Sequence, residues 1–429
     1  MTTYARRLGL FSGTMAVVGG IIGGGIFRTP ATVAQRLGTP GLVLLAWVLG
    51  GVVALIGAFC WGELGQRRPR AGGGYVYLRE TFGPLAAFLY GWTLVLVIAT
   101  GAIAAVAVTF ADYTLALVGL PHTYSVPLAV AAIVLLAGIN YVGVRPAAVT
   151  QNIFTVLKLT ALAVLIGAGV FLAVPLPPSA APSPPPHLAA LGSALVPILF
   201  TYGGWQQTNF IAEEIIEPER NLPRALVLGV AIVVAVYLLT NLAYLRVLGH
   251  AGLAASTAPA ADTMRAVLGP AGGKIIAAGI ALSTFGFLNL VILVTPRVLQ
   301  AMAADGVFFR RFALLHPVHQ TPTAAIVALA ALAVLLTLTG TFGQLVDYVT
   351  FGDWIFFGLT AAALFVYRSR EQGAGTFRVP GYPATVIVFV LAAAYAVFSS
   401  IVSNSRNAAI GAGLIALGIP AFLYWRRRA

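Results

Sequence analysis

Apolar runs of twenty or more residues recur along the whole chain, separated by short clusters of arginine, glycine and proline. A helix needs roughly 20 such residues to cross a bilayer. The alternating ten-residue segments of a membrane barrel are absent from the sequence. The pattern predicts an all-α membrane protein of twelve transmembrane helices. They fall at about 10–37, 41–66, 83–112, 126–144, 150–174, 190–217, 222–249, 271–301, 322–340, 344–367, 381–402 and 406–425.

Two of these runs are interrupted at their middle. Gly23-Gly24-Gly25 divides the first and Tyr202-Gly203-Gly204-Trp205 the sixth. A glycine inside a helix costs about 1 kcal/mol relative to alanine, so three in a row oppose a continuous helix. Irregular backbone at membrane depth survives where protein buries it or where it lines a watery cavity. The freed amides and carbonyls at the half-helix ends then make a ligand site. A small-residue packing face is the competing reading, and Arg28, three residues beyond the glycines, argues against it. The breaks open two blocks of five spans, residues 1–174 and 190–369. A proline-rich external linker at 175–189 separates them, and two further spans occupy 370–429. An odd number of spans per block forces the blocks into opposite orientations, as in an inverted repeat.

Composition narrows the function. The chain is 59% hydrophobic and 9% charged, against roughly 45–50% and about 25% in soluble domains. A net charge of +13 reflects loop asymmetry here rather than nucleic-acid binding. With the N-terminus inside, 18 of the 25 basic residues fall on the inner side and five outside, leaving Arg28 and Lys158 at membrane depth. Both termini are thus expected in the cytoplasm, in a cell-membrane protein. Arg6 and Arg7 precede an apolar run that continues past the length of a signal segment, so it reads as a retained first span. The single cysteine, Cys60, falls within a predicted span, and no disulfide-linked subunit is expected. The five histidines fall in loops or span ends. No metal cluster, phosphate loop or nucleophile–base pair is legible, so neither an enzyme nor a cofactor is expected.

Three passages resemble the amino acid–polyamine–organocation superfamily, and within it the bacterial relatives of the L-type amino acid transporters. They are Ile22-Gly23-Gly24-Gly25-Ile26-Phe27, the stretch from Gly72 to Pro84, and Phe200-Thr201-Tyr202-Gly203-Gly204-Trp205, continued by Asn209, Glu213, Glu214 and Asn221-Leu222-Pro223. The resemblance implies a leucine-transporter-like 5+5 inverted repeat with discontinuous first and sixth helices. It implies a substrate carboxylate on the amides of Gly23, Gly24 and Gly25, and an α-amino group on the carbonyls of Ile21, Phe200 and Gly203. Ile26, Tyr202, Trp205 and Gln206 complete the expected substrate shell, with Gln206 where many relatives carry asparagine. Phe200 matches an aromatic gate. Lys158, in Phe154-Thr155-Val156-Leu157-Lys158-Leu159, matches a lysine occupying the region where sodium-coupled cousins hold an ion, and so is the expected coupling residue.

From its predicted depth, about eight residues and roughly 12 Å into the fifth span, Lys158 either serves the site or reaches for the surface. Glu213 and Glu214 read equally as gate residues or as a solvated helix end. Asn289 reads as a cavity residue or an interhelical hydrogen bond, and Arg297 as reaching the cytoplasmic interface. Arg28 and Asp353 are expected at similar depth, ~13 Å from the outer surface, where they either meet as an external gate or leave Arg28 to select acidic substrates. The favoured function is a sodium-independent secondary transporter of α-amino acids, neutral ones first, working by exchange or proton coupling. A cationic amino acid or polyamine carrier, relying on Asp353, is one alternative. A nutrient receptor or channel on the same scaffold is the other.

Overall fold

The computed structural model describes residues 4–172, 188–340, 342–371 and 375–427. The expected linker falls largely outside them. Among the described residues the regular structure is helical, with one isolated bridge between Leu8 and Ile215. Helices α1 (Leu10–Ile21) and α2 (Thr29–Arg36) share the first expected span, and α3 (Pro40–Arg67) follows. The short α4 (Gly74–Phe82) precedes α5 (Pro84–Thr93). A π-helical turn, Leu94–Ala99, then leads into α6 (Thr100–Val118). Next come α7 (Ser125–Val142) and α8 (Val144–Gly167). Helix α9 (Leu188–Tyr202) gives way to a 3-10 helix, Trp205–Glu214. The long α10 (Pro218–Ala255) and α11 (Pro259–Ala304) bend at Gly249 and Gly269. Helices α12 (Thr323–Thr339), α13 (Phe342–Arg370), α14 (Ala384–Ser403), α15 (Ser405–Ala416) and α16 (Gly418–Arg426) complete the series.

Among the described residues, eight helical stretches are long and apolar enough to cross a membrane: Pro40–Arg67, Pro84–Val118, His122–Val142, Val144–Leu172, Pro218–Ala255, Pro259–Ala304, Ala384–Ser403 and Ser405–Arg426. The first and sixth expected spans fall short because each is cut near its middle, and α12 has 17 residues. Several boundaries differ from the sequence expectation, the eighth span for one starting at Pro259 instead of 271. The passage after α3, expected as a loop, contains α4: left-handed Gly72 and Gly73 turn the chain so that Tyr75, Val76, Tyr77 and Leu78 are buried. The fifth span starts at Val144 instead of 150, because Gly143 (φ 152°) makes the turn and Pro146 sits in the first helical turn, where its missing N–H is harmless. The twelfth is divided at Leu417.

The two breaks lie against one another. A Cβ on Gly204 would sit 2.1 Å from the Gly20 carbonyl oxygen, so only a glycine lets these backbones meet. Gly204 also has φ +121°, a conformation L side chains avoid. Beside the contact, the Tyr237 hydroxyl lies 3.1 Å from the Ile21 carbonyl and 3.3 Å from that of Thr201, bridging the ends of α1 and α9. Trp47 packs edge-on against Tyr202 and Tyr237 behind them. The Thr201 hydroxyl donates to that of Thr29 at 2.8 Å, tying α9 to α2. Substituting Gly204→Ala combines backbone strain of about 1–3 kcal/mol with overpacking of similar size. The variant is expected to melt well below the parent protein in detergent, as read by a thermal unfolding curve.

Candidate functional site

Between the breaks lies a cavity of about 500 Å³, within the range of roughly 300–1,000 Å³ usual for small-molecule sites. The first break contributes Ile21, Gly23, Gly24 and Gly25, and the second Phe200, Thr201, Gly203, Gly204 and Gln206. Opposite them, Leu94, Ile98 and Ala99 come from the π-helical turn, a wider turn that re-aims the side chains it carries. Phe287 and Val291 of α11 close another side, and Asp353, Trp354 and Phe357 of α13 a third. Most of the wall is therefore apolar, with a few polar groups at the breaks.

The backbone at the first break is polarised. Helix α1 ends at Ile21, leaving carbonyls without helical partners. The Lys158 ammonium, 1% exposed, donates to the carbonyls of Ile22 at 2.7 Å and Gly19 at 3.3 Å. The Ser283 hydroxyl also reaches the Ile22 carbonyl, at 3.3 Å. A cation is well placed at a helix C-terminus, where partial negative charge gathers. Past the break the chain restarts as a 3-10 turn, Gly25–Phe27, whose first bonds run from Phe27 to Gly24 and from Arg28 to Gly25. The amides of Gly24, Gly25 and Ile26 open that turn with no carbonyl ahead of them, the arrangement that attracts an anion, whereas the Gly23 amide, expected on the substrate carboxylate, donates to the Ile21 carbonyl at 2.9 Å.

Seven expected substrate residues line the cavity: Ile21, Gly23, Gly24, Gly25, Phe200, Gly203 and Gln206. The Gln206 side chain caps the unwound segment by accepting from the Gly204 amide at 3.0 Å. Ile26, Tyr202 and Trp205 are not among the lining residues. Ile26 is fully buried, the Tyr202 hydroxyl donates to the Trp47 carbonyl, and Trp205 packs on Trp61, Phe357 and Phe389. Lys158 lies behind α1 rather than in the wall, fourteen residues into α8 and so ~21 Å along it, deeper than expected because the helix starts early. Phe200 is in the wall, edge-on to Trp354 at 6.2 Å. Asp353 lines the cavity while Arg28 is exposed outside it, and no ion pair joins them in this conformation. The sequence reading missed Thr29, Thr201, Gln207, Trp354 and the π-helical turn.

Toward the face that carries the N-terminus, the structure is latched by buried polar groups. Arg297, expected at the interface, is fully buried and pairs with equally buried Glu214 through two bonds, 2.8 and 3.3 Å. Glu214 is therefore no solvated helix end. The Tyr4 ring covers the guanidinium at 5.9 Å. Arg7 and Leu8 donate their amides to the Glu214 carbonyl, so the N-terminal segment straps this pair. Nearby, Glu63 takes Arg67 and Arg368, while Arg68 joins Glu80 and Glu371. On α4, burial and then adjacent Asp305 push the Tyr75 hydroxyl above the ordinary tyrosine range. Asn289 is an interhelical bond, not a cavity residue. It accepts from Asn140 and donates to the Ala147 carbonyl and to Gln151, whose amide reaches Thr155.

The sequence profile of the family described as "Amino acid permease" matches residues 8–424. The large neutral amino acids transporter small subunit 2 of Rattus norvegicus is 32% identical, the match covering 99% of this chain and 82% of that protein. The Asc-type amino acid transporter 1 of Homo sapiens is likewise 32% identical, over 99% of this chain and 83% of its own. The b(0,+)-type amino acid transporter 1 of Mus musculus is 32% identical over 91% and 82%.

The buried Arg297–Glu214 pair makes a quantitative expectation. Removing one partner strands a buried charge at a cost of roughly 3–5 kcal/mol, whereas replacing both costs far less. Arg297→Met and Glu214→Gln are each expected to destabilise strongly in a detergent unfolding assay. The double variant should lose clearly less than the sum of the two.

Proposed function

The chain belongs to the amino acid permease family, and from that premise we propose that it carries α-amino acids across the membrane by alternating access. The observation that carries the reading is the paired break: amides at Gly24 and Gly25 that open the second half of the first span, facing a cavity that also receives Phe200 near the end of α9 and the unwound Gly203 beyond it. A zwitterionic head group fits that polarity, its carboxylate on amides and its ammonium on carbonyls. No side-chain charge is needed for the head group, so the apolar wall is left for the substrate's side chain.

Lys158 supports a sodium-independent cycle. Its ammonium occupies the space behind the first break and supplies the positive charge there through two carbonyl bonds. Exchange and proton coupling both remain compatible with that arrangement. The whole protein is then an integral protein of the cell membrane, with both termini cytoplasmic, in the twelve-helix inverted-repeat fold of leucine-transporter-like carriers. The strapped face is its inner gate, and Phe200 with Trp354 its outer aromatic gate. Its partners are a small amino acid and lipid. Burial of Cys60 in α3 supports a reading without a disulfide-linked subunit.

Counterflow into proteoliposomes tests the reading. Purified protein loaded with unlabelled amino acid should accumulate labelled substrate equally in sodium and choline media at matched potential and pH gradient. Amino acid esters and decarboxylated amines should compete poorly, and equal competition by an amine would replace the reading with a polyamine carrier. Lys158→Met should lose more than about tenfold in transport at matched amounts of folded, reconstituted protein, because it removes the charge behind the first break and leaves the Gly19 carbonyl without its donor.

A further inference from the structure

Asp353 is the one ionisable side chain among the described residues that line the cavity, and no ion pair or hydrogen bond engages it. A carboxylate at membrane depth is costly unless something offsets it. The basic groups at similar depth do not: Lys158 is committed to the carbonyls behind α1, and Arg28 is outside the wall. A bound neutral amino acid brings equal positive and negative charge, both answered at the breaks, so Asp353 would stay uncompensated. A second wall residue, Gln207, holds a buried amide oxygen that also lacks a donor. Asp353 is followed by Trp354, whose ring meets Phe200 at 6.2 Å and Phe357 at 5.4 Å, and all three rings line the cavity. Aromatic faces beside a carboxylate favour a cation.

Resting on the amino acid reading above, we propose that Asp353 is a specificity-determining residue that receives the side-chain ammonium of a cationic α-amino acid. The aliphatic stem of such a substrate lies along Leu94, Ile98 and Phe287, and its head group stays at the glycine break. This departs from the neutral substrate that the sequence reading placed first. The difference rests on one unpaired carboxylate.

Ornithine and norleucine provide the test, because they differ only in a terminal ammonium against a methyl group. Uptake of each into proteoliposomes is measured with the membrane potential clamped at zero, so that charge movement does not bias the comparison. The parent protein should take up ornithine with a kcat/KM about tenfold or more above norleucine. Asp353→Asn should lower the ornithine-to-norleucine ratio of kcat/KM about tenfold or more, and Asp353→Glu should retain it. A parent protein that favours norleucine overturns the proposal. So does an Asp353→Asn variant with an unchanged ratio, or one that loses both substrates equally, as expected of a proton carrier or a structural residue. Failure of the transport reading itself has a different signature: the parent protein then moves neither compound.

Discussion

A helix that stops inside a membrane exposes carbonyls to a medium that cannot solvate them, and Lys158 answers that problem here. Its ammonium reaches the carbonyls of Gly19 and Ile22, with Ser283 beside it and Tyr237 on the intervening Ile21 carbonyl. Without these donors the Gly19 and Ile22 carbonyls would be unpaired, each costing several kcal/mol in a lipid-like interior, while the Ile21 carbonyl would keep the Gly23 amide. The cavity depends on this cap. Only a helix safely ended at Ile21 can leave the following amides free, and those amides give the site its polarity.

The same logic accounts for the asymmetry between the two faces of the bundle. Charges on the N-terminal face are buried in mutually satisfying groups: Glu214 with Arg297, and Glu63 with Arg67 and Arg368. Such pairs add little net stability against an apolar replacement, yet they break only at high cost to either partner. They define a closed arrangement sharply without making it deep. The proposed alternating-access cycle, in which this face must reopen, would benefit from that combination.

The sequence made the breaks legible because glycine density is a local signal that needs no partner to interpret. The apolar runs were legible for the same reason. Burial of Glu214 and Arg297 was not, since either residue reads as a solvated end until its partner 83 positions away is placed. The hydrogen-bonded set Asn140, Gln151, Asn289 and Thr155 is likewise a tertiary fact, drawn from α7, α8 and α11. The π-helical turn at Leu94–Ala99 carries no breaker residue to announce it. Tyr202 and Trp205 flank the second break in sequence but point into packed aromatic clusters, because adjacent residues on a distorted helix end face different sides. The depth of Lys158 was underestimated for one reason: Gly143 starts its helix six residues earlier than the apolar run suggested.

The meeting of Gly20 with Gly204 has a mechanical meaning. Two bare backbones touch there, a Cβ on Gly204 being excluded by the Gly20 carbonyl at 2.1 Å and one on Gly20 crowding the Gly204 carbonyl oxygen at 3.0 Å. Interdigitated side chains fix both separation and angle, whereas a point contact between backbones fixes separation and leaves angle free. On the proposed alternating-access cycle, the crossing would serve as a fulcrum for the pieces on either side. Its tolerance for rotation and its intolerance of added atoms come from the same two missing methyl groups.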